Sequence, residues 1–197
     1  MKILANSPLK MTKTQAKSLS LEEFLHLPET KPAQEFIEGD IRQKHISKGR
    51  HSRLQSKLCT EINQVSESAK IAYAFPELRC SFGNRSIVPD IAVFLWLNIP
   101  FLSDGEVPDN FKLPPDLVIE ILSPKQNPNQ VIGNILYCIE NGSQLGWFLD
   151  PGTQNILVFR RDRSPLVIQN QDTLPVLEGI ELTLTAAQVF GWLKMGP

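Results

Sequence analysis

Cysteine is scarce in this 197-residue chain, and the three present, Cys59, Cys80 and Cys138, form neither a CxxC pair nor a Cys/His ligand spacing. An odd count without such spacing suggests neither a disulfide framework nor a structural zinc site, and points to buried thiols in a reducing, cytoplasmic setting. Long apolar runs are also missing. The longest stretch free of charge, Gln126–Ile139, has 14 residues and is largely polar, short of the roughly 20 apolar residues a spanning helix needs. No membrane partner is expected. Residues 1–19 hold four lysines, no acid and no continuous apolar core, so they read as a flexible tail and not as a signal peptide.

What is present is a globular composition, 42% hydrophobic and 21% charged, which excludes disorder and fibrous repeats. Fifteen prolines and 11 glycines beside 8% aromatics indicate many short elements, hence one mixed α/β (α+β) domain over residues 20–195. Net charge is −1, but residues 1–70 carry 12 Lys/Arg against 8 Asp/Glu. From Arg42 to Lys57 there are six cations, two histidines and no acid. A solvated face is the ordinary reading of such a run; a nucleic-acid contact is the other.

Ser20-x-x-Glu23 is a capping box opening a two-turn helix that Pro28 ends. Gln34–Gln43 reads as a hairpin turning at Glu38-Gly39-Asp40. Leu54, Leu58, Ile62 and Val65 predict a long helix from about Gly49 to Ser68, with His51 on the apolar side and Arg50, Arg53 and Lys57 as a stripe beside it. Strands are expected over Ile71–Ser81 and Ile87–Leu95, around a turn at Phe82–Arg85. Pro100–Pro115 is the longest loop.

Leu117–Leu122 is an apolar run broken by one acid, the pattern of a central strand buried on both faces. Asn127 and Pro128 open a helix that Asn141-Gly142 stops, which gives a strand–helix–strand unit with the strand at Leu145–Leu149. Two further strands, Ile156–Arg160 and Leu166–Gln169, and a short helix capped by Thr185 complete the chain.

The chemistry gathers on two acids. Glu120 lies inside Val118-Ile119-Glu120-Ile121-Leu122, and Asp90 at the entry of Ile91–Leu95. A carboxylate there costs several kcal/mol, on the order of the penalty for a buried ion, unless it is paired or bound to a metal. One such acid alone is usually salt-bridged; two on neighbouring core strands point to a shared site. Mg²⁺ takes one or two carboxylates and keeps waters it can activate, which suits phosphodiester hydrolysis.

Several segments then occur in order: Glu35-Phe36-Ile37-Glu38-Gly39-Asp40, the helix of His51, Pro89-Asp90-Ile91, Pro115 to Pro124 around Glu120, and Leu145 to Pro151. Together they resemble the Uma-two-type restriction-endonuclease family of the PD-(D/E)XK superfamily, over nearly the whole chain. The resemblance implies a restriction-endonuclease-like core, a mixed central sheet flanked by helices. It implies Asp90 and Glu120 as metal ligands, Glu35 as a further acid, and His51 as the histidine opening the first long helix. Mg²⁺ or Mn²⁺ as cofactor, DNA as partner and a homodimer follow as expectations, the last helped by the apolar Phe94–Leu97 and Pro100–Leu102 stretches.

One departure stands out. The superfamily lysine position is Leu122, and Asn134 occupies the place on the following helix from which relatives supply it. Lys125 and Gln130 are the nearby substitutes. A neutral amide offsets developing charge less well than an ammonium, so slow or absent cleavage is expected. Three readings result: a metal-dependent DNA endonuclease using Asp90, Glu120, Glu35 and Asn134, with Arg50, His51, Arg53 and Lys57 on the DNA; a catalytically inactive relative that binds nucleic acid or protein; and a hydrolase of smaller phosphate esters.

Overall fold

The computed structural model describes residues 19–196, so the tail expected over residues 1–19 lies outside the described residues but for Leu19. The capping box forms as the sequence predicts: Glu23 N–H donates to Ser20 Oγ and Ser20 N–H to Glu23 Oε2, opening α1 (Leu21–Leu25). Its one buried side chain, Phe24, stacks on Phe36 of β1 (Gln34–Ile37). β1 pairs antiparallel with β2 (Asp40–Gln43) through Glu38 and Gly39, both at positive φ, as a tight hairpin turn requires.

After α2 (Gly49–Ser66) come β3 (Ala72–Pro76), β4 (Cys80–Phe82), β5 (Arg85–Ile87) and β6 (Ile91–Leu95). Here the structure corrects the sequence. The strand expected over Ile71–Ser81 breaks at Glu77, whose φ is 49°, and its halves join different sheets. The strand expected over Ile87–Leu95 breaks at Val88-Pro89-Asp90, since Pro89 has no N–H for a ladder. The remaining elements are β7 (Leu117–Ile121), α3 (Pro128–Glu140), β8 (Leu145–Asp150), β9 (Asn155–Phe159), β10 (Leu166–Ile168) and α4 (Ala186–Gly191).

Six strands form the main sheet in the order β10-β9-β8-β7-β6-β3, and four form a smaller one, β2-β1-β5-β4. Neighbours in the main sheet run antiparallel except β7 and β8, which are parallel and joined through α3. On one face α2 lays Leu54, Leu58 and Ile62 against Ala74, Ile91, Val93, Ile119 and Trp147. On the other, Val131, Ile135 and Cys138 of α3 meet Ala92, Val118 and Phe148, with Phe82 and Ile87 of the smaller sheet. α3 comes so close to β8 that a Cβ on Gly146 would stand 2.3 Å from Ile135 Cγ2, which explains glycine inside a core strand.

Side chains alternate along β7. Leu117, Ile119 and Ile121 therefore face α2, while Val118 joins the core cluster on the α3 side and Glu120 shares that side. The alternation aims Glu120 at the smaller sheet. The apolar stretch expected to form a dimer surface is split: Phe94 is core and Trp96 packs on Phe101, whereas Leu97 is 97% exposed. Among the described residues no helix is long and apolar enough to cross a membrane.

Candidate active site

Asp90 ends the break before β6, and β6 pairs with β7 in a register that sets Ile91 opposite Ile119. This brings the Asp90 carboxylate to the β7 backbone just past Glu120. Asp90 Oδ2 accepts the Ile121 N–H at 2.8 Å and bonds His51 Nε2 at 2.9 Å. The inward-pointing His51 of the sequence reading is thus buried and set on the acid. Gln55, one turn further along α2, donates to the Asp90 carbonyl at 2.7 Å.

The remaining oxygen of Asp90 is taken by Lys44, one of the six cations between Arg42 and Lys57. Lys44 follows β2 directly, its N–H held by the Ala33 carbonyl. Its ammonium donates to Asp90 Oδ1 at 2.8 Å and to the Val88 carbonyl at 2.5 Å, and lies 3.8 Å from Glu120 Oε2. Glu120 Oε1 is buried with no hydrogen-bond partner among the described residues. Glu35, also buried, accepts the Val88 N–H at 2.8 Å, and its other oxygen is 3.4 Å from Asn134 Nδ2, at the limit of a hydrogen bond. Asp90, Glu120, Glu35, Lys44 and Asn134 therefore converge from the entry of β6, β7, β1, the end of β2 and α3.

The electrostatics follow from this packing. Burial opposes the charge of Lys44, but Glu120, Asp90 and Glu35 outweigh it and hold the ammonium above the usual lysine range. Burial likewise works against ionised Asp90, yet Lys44 and His51 bring the carboxyl well below its ordinary value. For Glu120 burial wins, reinforced by Asp90 and Glu35, and its carboxyl is pushed well above the usual range against the pull of Lys44. Two close carboxylates at unlike proton affinities are what burial and like-charge repulsion produce.

Other expectations change place. Lys125 does not reach the cleft lined by Glu35, Lys44, Glu120 and Asn134; it lines a separate hollow with Lys48, Arg50 and Asp150. Leu122 packs toward the α3 core. The basic stripe is turned largely to intramolecular contacts: Arg50 donates to the Pro151 carbonyl, Arg53 to the Trp192 carbonyl, and Lys57 pairs with Glu61 while lying over the Trp192 ring. It secures the C-terminal segment. At the cleft itself the exposed basic side chains are Arg42 and His45. The signal that could have singled out Lys44 is register: the residue after Gln43 falls opposite Ala33, next to the Glu35 strand.

No three His, Cys, Asp or Glu side chains among the described residues form a metal-binding cluster. A hard divalent ion does not require three, because Mg²⁺ is commonly held by one or two carboxylates and waters. The orphaned Glu120 Oε1 and the Asp90 carboxylate, two acids that both face the Lys44 ammonium, are oxygen donors of the kind such an ion takes.

A search of curated proteins finds no match. Among solved structures, the chain superposes with a TM-score of 0.87 on one described as a putative nuclease belonging to DUF820 from Anabaena variabilis ATCC 29413, at 46% identity over 89% of this chain and 99% of that one. The shared fold is nuclease-like. A sequence model of the Uma2 family, described as "Putative restriction endonuclease", matches residues 21–187, and the chain belongs to that family.

Proposed function

We propose that the protein is a divalent-metal-dependent DNA endonuclease in which Lys44 takes the place of the lysine missing at Leu122 and Asn134. The observation that carries this reading is the convergence of Asp90, Glu120 and Lys44, with Glu120 Oε1 left unpaired. Asp90 and Glu120 would hold Mg²⁺ or Mn²⁺, which when bound polarises a phosphoryl oxygen and makes water a better nucleophile at neutral pH.

The chain's own groups do the rest. His51 and the Ile121 N–H fix the orientation of Asp90, so that its position is set before substrate arrives. Lys44 provides a positive charge in a water-poor pocket, where an ammonium stabilises charge developing on phosphorus oxygens far better than it does in water. Glu35, bonded to Val88, adds negative potential and shapes the wall opposite Asn134. Arg42 and His45 at the rim are placed to meet the phosphate backbone, a contact that orients nucleic acid without reading sequence. The exposed Leu97 and Leu102 support pairing of two copies, which light scattering would read as a dimer mass.

A second reading has one observation in its favour: the Lys44 ammonium already lies between the two acids, 2.8 Å from Asp90 and 3.8 Å from Glu120. It makes the protein a non-catalytic nucleic-acid-binding module. A plasmid-nicking assay with Mg²⁺, Mn²⁺ and chelator separates the two. Metal-dependent nicking by wild type, lost in Asp90→Ala, supports the endonuclease; wild-type binding of DNA without nicking in either metal supports the module. Turnover of small phosphodiesters but not plasmid would place the substrate class elsewhere.

A further inference from the structure

The ammonium of Lys44 has the partners expected of a bound metal ion: a carboxylate oxygen of Asp90 at 2.8 Å, the Val88 carbonyl at 2.5 Å and a carboxylate oxygen of Glu120 at 3.8 Å. It occupies the point toward which the two acids converge. The contact to Glu120 is long, and Glu120 Oε1 is left without a donor, so the lysine satisfies the pair incompletely. Mg²⁺ draws carboxylate oxygens to about 2.0–2.1 Å, and cannot share that volume with an ammonium.

Room for displacement exists next door. Lys44 forms part of the wall between the Glu120 cleft and a second, open cavity of about 570 Å³ lined by Thr30, Pro32, Ile46 and Glu77. Its backbone is anchored by the N–H bond to Ala33, while its side chain is a flexible four-carbon stem.

We propose that Lys44 is a displaceable internal cation, resident between Asp90 and Glu120 until a divalent ion takes its place and the side chain swings aside. The inference rests on the metal-dependent reading above, and refines it: the lysine gives up the place between the acids to the ion but stays on the wall of the Glu120 cleft, from which its charge can face a substrate phosphate. It also explains how two acids stay buried in the metal-free protein.

The test is Mn²⁺ titration by calorimetry into wild type, Lys44→Met and Lys44→Met/Asp90→Asn, joined to mass-spectrometric measurement of Lys44 acetylation in wild type with and without Mn²⁺. Removal of the resident cation should tighten Mn²⁺ binding at least tenfold in Lys44→Met, and the added Asp90→Asn change should abolish it. In wild type, saturation with Mn²⁺ should raise the Lys44 acetylation rate at least tenfold, a reading that needs no variant to fold. Mn²⁺ binding of wild type with Lys44 still protected would overturn the displacement and leave the metal-dependent reading intact. Absence of Mn²⁺ binding from both wild type and Lys44→Met would overturn both.

Discussion

The Asp90 carboxylate accepts the backbone N–H of Ile121, so the side chain that opens β6 is bonded to the strand that carries Glu120. The same oxygen bonds His51 of α2, and the other takes Lys44 from the end of β2. One carboxylate thereby ties together two adjacent strands of the main sheet, the helix on one face and the smaller sheet on the other. Asp90→Ala leaves a buried N–H, an imidazole and an ammonium without their acceptor. Unsatisfied buried donors cost about 1–3 kcal/mol each, more for charged ones, and the urea midpoint should fall accordingly. An unchanged midpoint would mean that the carboxylate serves the site alone and not the fold.

Lys44 and Asn134 approach the acids from opposite walls, the first bonded to Asp90 and the second near Glu35. If the ammonium is what matters and not its origin, Lys44→Met should lower nicking at least a hundredfold. Lys44→Met/Asn134→Lys should then recover a substantial part of it. A purely structural Lys44 would show the loss without the recovery, because an ammonium on α3 cannot restore the hydrogen bond to Val88. Initial rates under saturating metal, with DNA varied, would read this as a change in kcat more than in KM.

Much of this architecture could be read before any coordinates. The Ser20 capping box, the Glu38-Gly39 turn, the interrupted apolar run of β7 and the Asn127-Pro128 helix start are local signals, each with a single physical meaning. Lys44 was not legible for a different reason. Six cations between Arg42 and Lys57 look alike in the sequence, and only the β1–β2 register together with the approach of β5 puts one of them over Asp90. The same long-range packing turned Arg53 and Lys57 toward Trp192. The two strand breaks did carry local signals: Pro76 precedes Glu77, and Pro89 has no N–H for a ladder.

His51 offers a separable prediction, because its buried ring bonds Asp90. Its Nε2 is the atom that bonds Asp90 Oδ2, and the amide nitrogen of glutamine reaches about as far along the side chain. His51→Gln should keep most of the activity, and His51→Ala should lose roughly tenfold in kcat with little change in KM, in line with the usual 10–100-fold cost of removing a residue that orients a metal ligand. Equal loss in both variants would indicate that the imidazole itself takes part in the reaction. Light-scattering mass and melting temperature measured alongside would exclude a folding defect as the cause.

The thiols give a prediction at the other end of the pH scale. Burial pushes the Cys59 thiol up to about 11, and burial, partly opposed by Arg79, pushes the Cys80 thiol up to about 12, both well above the ordinary thiol range. A thiol that resists ionisation in the fold but ionises freely when unfolded favours unfolding as the solution becomes alkaline. Its contribution is complete below about pH 9 and is lost as pH rises toward the folded values, since over that interval the unfolded chain binds fewer protons. The urea midpoint of wild type should therefore fall more steeply between pH 9 and 11 than that of Cys80→Ala, even though the variant starts lower. Lysines and tyrosines titrate in the same interval in both proteins, so the difference in slope isolates the thiol. Parallel slopes would show that Cys80 ionises as readily in the fold as outside it, and that the pocket formed with Leu78 and Phe111 admits water.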